Sequence, residues 1–151
     1  MHLKKVIASL LLLACAGALA FLVKDAIDVR NPEQAVAKMT VTADTLELPV
    51  AVAGFQWEFL FGRRACKKPM PVFEIKLEPA PGELLGGERL ELVFSQPAKK
   101  IVIKQSKNYS YDFFEVDGDL TVPFESGVYV YKVEAEFESG RVLYYFYAAV
   151  T

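Results

Sequence analysis

Residues 127–150 read GVYVYKVEAEFESGRVLYYFYAAV, and this stretch decides the fold. From Tyr129 to Phe137 every second residue is apolar, and from Lys132 onward the residues between them are charged. This alternation is typical of a strand with one buried face and one wet face. After the turn at Ser139-Gly140, a second strand follows. The stretch therefore predicts a β-hairpin that forms part of the core.

The second strand of this hairpin, residues 141–150, is apolar on both faces. One face carries Val142, Tyr144 and Phe146, and the opposite face carries Tyr145 and Tyr147. Either another element covers the second face or it forms an exposed aromatic stripe. Large exposed patches are uncommon on monomers, which favours a cover, and a partner protein is one candidate for it. Tyr145 and Tyr147 are thus candidate contact residues.

Upstream of the hairpin, short β-rich runs alternate with Gly, Pro and Asp. The pattern predicts an all-β domain over residues 39–151, and more specifically an antiparallel two-sheet immunoglobulin-like sandwich. A small barrel is the alternative. The single tryptophan, Trp57, is expected between the sheets. The predicted strands are 39–43, 46–52, 55–61, 72–78, 89–95, 100–105, 110–116, 119–123, 128–137 and 141–150.

An uncharged apolar run from Val6 to Val23 precedes the β-rich region. Its length reaches the lower limit of about 18 residues for a membrane-spanning helix. Lysines ahead of the run, Lys4 and Lys5, predict that the amino terminus stays in the cytoplasm. The domain would then stand on the extracytoplasmic face of the cell membrane, joined to the leader (1–24) by a stalk (25–38).

Three processing routes remain open for this leader. It is an uncleaved signal anchor, or a signal peptide cut after Ala18-Leu19-Ala20, which has small residues at the required positions. Alternatively, Leu12-Leu13-Ala14-Cys15 resembles a bacterial lipobox, which makes Cys15 a candidate for lipidation. If the leader is cleaved, the domain is secreted.

Composition excludes several classes of chemistry. The only histidine is His2, so the exported domain has no histidine base and no histidine ligand. Cys66 has no second cysteine in the domain with which to form a disulfide, so a buried, inert residue is expected, and a free thiol or an intermolecular bond is the alternative. The net charge of -2, with mixed signs, gives no general attraction to nucleic acid. The sequence contains no Gly-x-Ser-x-Gly, Ser-x-x-Lys or Gly-x-Gly-x-x-Gly motif. We therefore expect no cofactor, no metal and no enzymatic activity.

Basic residues form a group around Cys66: Arg63, Arg64, Lys67 and Lys68. A second group lies in or beside a later strand: Lys99, Lys100, Lys104 and Lys107. If the two groups meet in space, they form a patch able to hold anions such as the phosphates of a wall polymer or of lipid head groups. Otherwise they are solvated loop residues and edge-strand lysines that block aggregation.

Acidic residues cluster within one short segment: Asp112, Glu115, Asp117 and Asp119. A pair of carboxylates performs acid–base chemistry on carbohydrate if the two groups converge in a cleft. Asp117-Gly118 is also a strong hairpin-turn signal, which explains part of the cluster without any activity. An envelope carbohydrate-active enzyme or accessory protein is therefore the alternative function.

Three strand-packing motifs resemble small immunoglobulin-like domains of Gram-positive bacterial surface proteins. The motifs are Gly54-Phe55-Gln56-Trp57, the segment Leu90–Phe94 followed by Pro97, and a terminal hairpin with Gly127-Val-Tyr-Val-Tyr131, Gly140 and Tyr144-Tyr145-Phe146. The resemblance covers most of residues 40–150 and implies a fold. It implies no catalytic residue, and such domains occur as secreted or membrane-anchored proteins.

These patterns together predict a non-enzymatic, membrane-tethered binding or protein-interaction domain at the cell envelope. The membrane contact is made by residues 6–23. The partner is an envelope protein or an anionic wall polymer.

Overall fold

The computed structural model describes residues 2–75 and 82–151 of the chain. A long helix and a short helix, α1 (His2–Arg30) and α2 (Pro32–Ala35), lead into the β-rich part. The strands are β1 (Met39–Ala43), β2 (Leu46–Leu48), β3 (Val50–Glu58), β4 (Arg64–Lys67), β5 (Glu83–Leu84), β6 (Leu90–Phe94), β7 (Lys100–Lys107), β8 (Phe114–Glu115), β9 (Gly127–Glu136) and β10 (Gly140–Val150).

The strands form two sheets. The smaller sheet has the order β2-β1-β6, and the larger one has the order β4-β3-β10-β9-β7-β8. Pairing within both sheets is antiparallel, except that the short β5 runs parallel to β10. An all-β domain of antiparallel sheets behind an apolar helix was predicted, and this coarse architecture is confirmed.

The core lies between the two sheets and is built around the hairpin of β9 and β10. The rings of Tyr131 and Phe146, which are paired across these strands, stack with centroids 4.6 Å apart. At the other end of the hairpin, Trp57 lies against Phe137 with centroids 5.8 Å apart. These four side chains and that of Tyr144 are all buried, as predicted for the core.

The outer face of β10 is covered by the chain itself. Tyr145 and Tyr147 are only 6% and 5% exposed, and they belong to a second apolar cluster with Val72 and Ile75. The hydroxyl of Tyr147 donates to the carbonyl oxygens of Val72 and Ile75, at 3.1 and 3.3 Å. The expectation of a cover is confirmed. The assignment of Tyr145 and Tyr147 to an exposed contact surface is corrected, because a loop of this chain already buries them.

Several predicted strand boundaries change for identifiable reasons. The break predicted after residue 52 lies instead at Pro49, which has no N–H to donate to a ladder. β3 then continues to Glu58, with a register shift opposite Leu143/Tyr144. Residues 72–74 form a 3-10 turn where a strand was predicted over 72–78, and 76–78 lie outside the described residues. Of the predicted strand 110–116, only β8 forms.

Asp117-Gly118 does not close a hairpin. The segment before it pairs with β7 in the larger sheet, whereas Thr121 forms an isolated bridge with Arg89, beside β6. The Asp117-Gly118 turn therefore carries the chain from one sheet towards the other. The strand predicted over 119–123 is reduced to this single bridge, flanked by hydrogen bonds from the amides of Leu90 and Val122.

The predicted stalk is part of the folded structure. α1 continues past residue 24 to Arg30, and Val36 and Ala37 are buried in the core. The hydroxyl of Tyr144 donates to the carbonyl oxygen of Ala37. The segment Lys5–Arg30 is long and apolar enough to cross a membrane, a criterion that a signal sequence also meets.

Candidate functional site

Arg63, the first basic residue of the group around Cys66, forms a contact that holds the long helix α1. Asp25 of α1 is 7% exposed, and its carboxylate forms an ion pair with Arg63. The same carboxylate accepts a hydrogen bond from the backbone N–H of Leu60 at 3.1 Å. A buried carboxylate requires such partners, since an unpaired one is costly to desolvate. Arg63 therefore has a structural role in holding α1 against the β-domain.

Two further members of this group are also paired. Arg64 lies 3.0 Å from the carboxylate of Glu58. Lys67 lies 2.8 Å from Glu33 of α2, and its ammonium group also donates to the carbonyl oxygen of Val52 at 3.2 Å. Lys68 differs, because it is exposed and no carboxylate lies within 4.0 Å of it among the described residues. Within the described residues, Lys68 is therefore the member of this group of four whose charge has no carboxylate partner.

The two predicted basic groups meet, in part, in one groove. The groove has a volume of about 520 Å³ and lies over the uncovered half of the larger sheet's outer face. Lys67 and Lys68 approach it from the end of β4, and Lys100 approaches it from β7. Lys99, Lys104 and Lys107 do not line it. The charged residues that line the groove are Lys67, Lys68, Lys100, Lys132, Arg141, Glu134 and Glu136.

The ion pairs on the groove floor do not neutralise all of its positive charge. Lys132 lies 2.8 Å from Glu134, and Arg141 lies 3.8 Å from Glu136. The hydrogen bond from Lys132 lowers the pKa of the Glu134 carboxyl, burial opposes this, and the charges of Lys132 and Lys104 lower it further. Glu134 is therefore a stable anion between lysines. Glu136 lies opposite Lys100 in the sheet, but among the described residues no carboxylate lies within 4.0 Å of the ammonium group of Lys100 or of Lys68.

Lys132 and Arg141 were not singled out from the sequence. Both lie on the charged face of the β9–β10 hairpin, which was interpreted only as the wet face of a strand. The strand register places them in the groove. Lys100 lies opposite Glu136 in the sheet, and Glu136 lies opposite Arg141, so three charged residues form one row across three strands.

Cys66 is exposed, contrary to the expectation of a buried residue, and lines this groove as well as a second one. The second groove has a volume of about 970 Å³ and lies between the end of α1 and the sheet, with Lys24, Trp57 and Arg141 in its lining. Cys15 is exposed on α1, and both cysteines are free.

The acidic residues of the alternative hypothesis are not gathered in either groove. All four are exposed, and two of them, Glu115 and Asp119, lie near separate basic residues. Glu115 lies opposite Lys104 in the larger sheet, and the carboxylate of Asp119 lies 3.7 Å from Arg89. Among the described residues, no three His, Cys, Asp or Glu side chains are close enough to hold a metal ion.

An exposed aromatic pair lies on the segments that cover Tyr145 and Tyr147. Phe73 and Tyr111 are 60% and 79% exposed, and their rings meet edge to face at 6.2 Å. The pair was not predicted: strands were expected over 72–78 and 110–116, whereas Phe73 lies in a 3-10 turn and Tyr111 precedes β8.

No protein-family model, no curated protein and no solved structure matches this chain.

Proposed function

We propose that this protein is a non-enzymatic binding domain, tethered to the extracytoplasmic face of a membrane by α1, that holds an anionic polymer of the cell envelope in its basic groove. The observation that carries the proposal is the meeting of Lys68 and Lys100 in one groove, with no carboxylate within 4.0 Å of either ammonium group among the described residues. An extended groove of positive charge suits a chain of phosphate groups, which accept from ammonium donors and gain from local charge excess.

The immunoglobulin-like character of the domain is part of this proposal. It is supported by the antiparallel sheets, the buried Trp57 and the central β9–β10 hairpin. The uncleaved anchor is supported by the continuity of α1, which passes without a break through the possible cleavage site after Ala20 and reaches the β-domain at Asp25.

The test measures binding of poly(glycerol phosphate) by the full-length protein in nanodiscs, with neutral dextran as the reference polymer. The variant Lys68→Gln/Lys100→Gln removes both unpaired groove charges. Each lysine near an anionic surface contributes about 1 kcal/mol, so we expect the dissociation constant to rise by about 30-fold.

Arg89→Gln is the matched control. Arg89 is exposed and lies outside both grooves, beside Asp119. We expect it to change the affinity by less than about two-fold, because exposed pairs contribute little. Binding that survives in the double variant, or an equal loss in Arg89→Gln, contradicts the proposal.

A further inference from the structure

The loop that holds Asp25 carries an exposed aromatic side chain. Leu60–Gly62 form a single 3-10 turn, and within it the Phe61 side chain is 82% exposed. Phe61 has a positive φ of 59°, which bulky residues rarely adopt. Gly62 follows with φ 71°, so two consecutive residues of this turn have a left-handed backbone conformation. Strained, exposed apolar residues of this kind cluster at functional sites.

The position of this loop along α1 is fixed by Asp25. Asp25 lies two residues after Val23, the last residue of the apolar run, which is about 3 Å along the helix axis. Helical side chains are directed towards the helix N-terminus. The carboxylate of Asp25, and with it the bound loop, therefore lies at the level of the last apolar turn of α1.

We infer that Phe61 inserts into the lipid bilayer that α1 crosses, at the boundary between head groups and acyl chains. This inference rests on the proposed membrane tether. Phe is among the side chains that amphipathic elements bury at this depth. The flanking cations suit the head groups: Arg63 and Lys24 have side chains 42% and 73% exposed, although each is also paired with an aspartate of α1. The domain then has a second membrane contact besides α1 and takes a fixed orientation on the bilayer.

The experiment uses full-length protein in vesicles of phosphatidylcholine and phosphatidylglycerol with brominated acyl chains, which quench nearby tryptophan. Phe61→Trp places the probe in the loop, and Phe124→Trp is the control, since Phe124 is 85% exposed in a loop after Leu120. Emission of the unmodified protein, from the buried Trp57, is subtracted. We expect the emission added by Phe61→Trp to be blue-shifted and to fall by about half. The emission added by Phe124→Trp should remain that of a water-exposed indole.

Flotation of the same vesicles separates the two possible failures. Protein that floats with the vesicles and shows no quenching of Phe61→Trp overturns the inference and leaves the tether intact. Protein that does not float removes the tether and the inference together. If Phe61→Trp does not fold, a nitroxide on Phe61→Cys in a Cys15→Ala/Cys66→Ala background replaces it. A nitroxide that is more accessible to oxygen than to a water-soluble nickel chelate supports insertion, and the reverse overturns it.

Discussion

The carboxylate of Asp25, near the end of the apolar helix, is paired with the guanidinium of Arg63, in the loop before β4. This contact joins the apolar helix to the β-domain. Because the Asp25 side chain is 9% exposed, this pair is better shielded from water than a surface pair.

Asp25→Ala is expected to lower the free energy of unfolding by about 1–2 kcal/mol, since Arg63 and the N–H of Leu60 lose their acceptor. The estimate is below that for a fully buried pair because the Arg63 side chain is 42% exposed. Asp28→Ala is the control on the same helix. It breaks only the exposed pair with Lys24 and should cost about 0.5 kcal/mol or less. Urea unfolding in detergent micelles, followed by Trp57 fluorescence, measures the free energy of unfolding of both variants. Equal losses in the two variants would argue against a docked helix.

Two core tyrosines provide a matched pair for hydrogen bonding. Tyr144→Phe removes the bond to the carbonyl oxygen of Ala37 and should cost about 1–2 kcal/mol, because that carbonyl is left without its partner. Tyr131→Phe should change stability by less than about 0.5 kcal/mol or increase it. The Tyr131 hydroxyl is buried with no hydrogen-bond partner among the described residues. The same unfolding assay compares the two. A larger loss for Tyr131→Phe would contradict this assignment.

Burial also predicts an alkaline limit to stability. It raises the pKa of Tyr131 and Tyr144 well above the ordinary value. Because the folded chain keeps these protons longer than the unfolded chain, stability is fully present below about pH 10 and falls as the pH rises further. Tyr131→Phe should make this decline shallower, by up to about 1.4 kcal/mol per pH unit. Unfolding at pH 9 to 11.5 checks this, and an equally steep decline in the Tyr131→Phe variant contradicts it.

Gly140 opens β10 at a φ of 155°, and a Cβ there would overlap the backbone of Gln56. Gly140→Ala should therefore cost about 3 kcal/mol or more, from strain and overlap together. Gly62→Ala is the control, because Gly62 has a positive φ but no atom within 4 Å of the added carbon. It should cost about 1 kcal/mol, from backbone strain alone. Similar midpoints for the two variants in thermal unfolding would contradict the packing at Gly140.

The proposed anchor predicts the full-length mass for protein purified from the membranes of its own host. Loss of residues 1–20 would identify a cleaved signal peptide. Loss of residues 1–14 with an added lipid would identify lipidation at Cys15. Intact mass spectrometry distinguishes these products, and either of the last two contradicts a permanent helical anchor.

The strands with a local signal were predicted well. β1, β6, β9 and β10 lie within one or two residues of the predicted runs, because alternation and turn residues are properties of neighbouring positions. The buried partners Trp57 and Phe137 were found for the same reason, since each lies on the apolar face of a run.

Features that depend on distant partners were missed. Asp117-Gly118 has the composition of a hairpin turn, yet the segments on its two sides pair with different sheets. The ion pair of Asp25 with Arg63 joins residues that no local pattern relates. The groove needed the register of β7, β9 and β10 before Lys100 and Arg141 could be placed on one surface.

β10 lies in the interior of the larger sheet, paired with β3 and β9. It follows both partners in the chain, so a ribosome makes it after every strand that it joins. For a chain exported as proposed, the sheet is unable to close while residues 140–150 are still on the cytoplasmic side. The strands made earlier therefore cross the membrane before the larger sheet is complete, in a state unfolded enough to pass through a translocation channel.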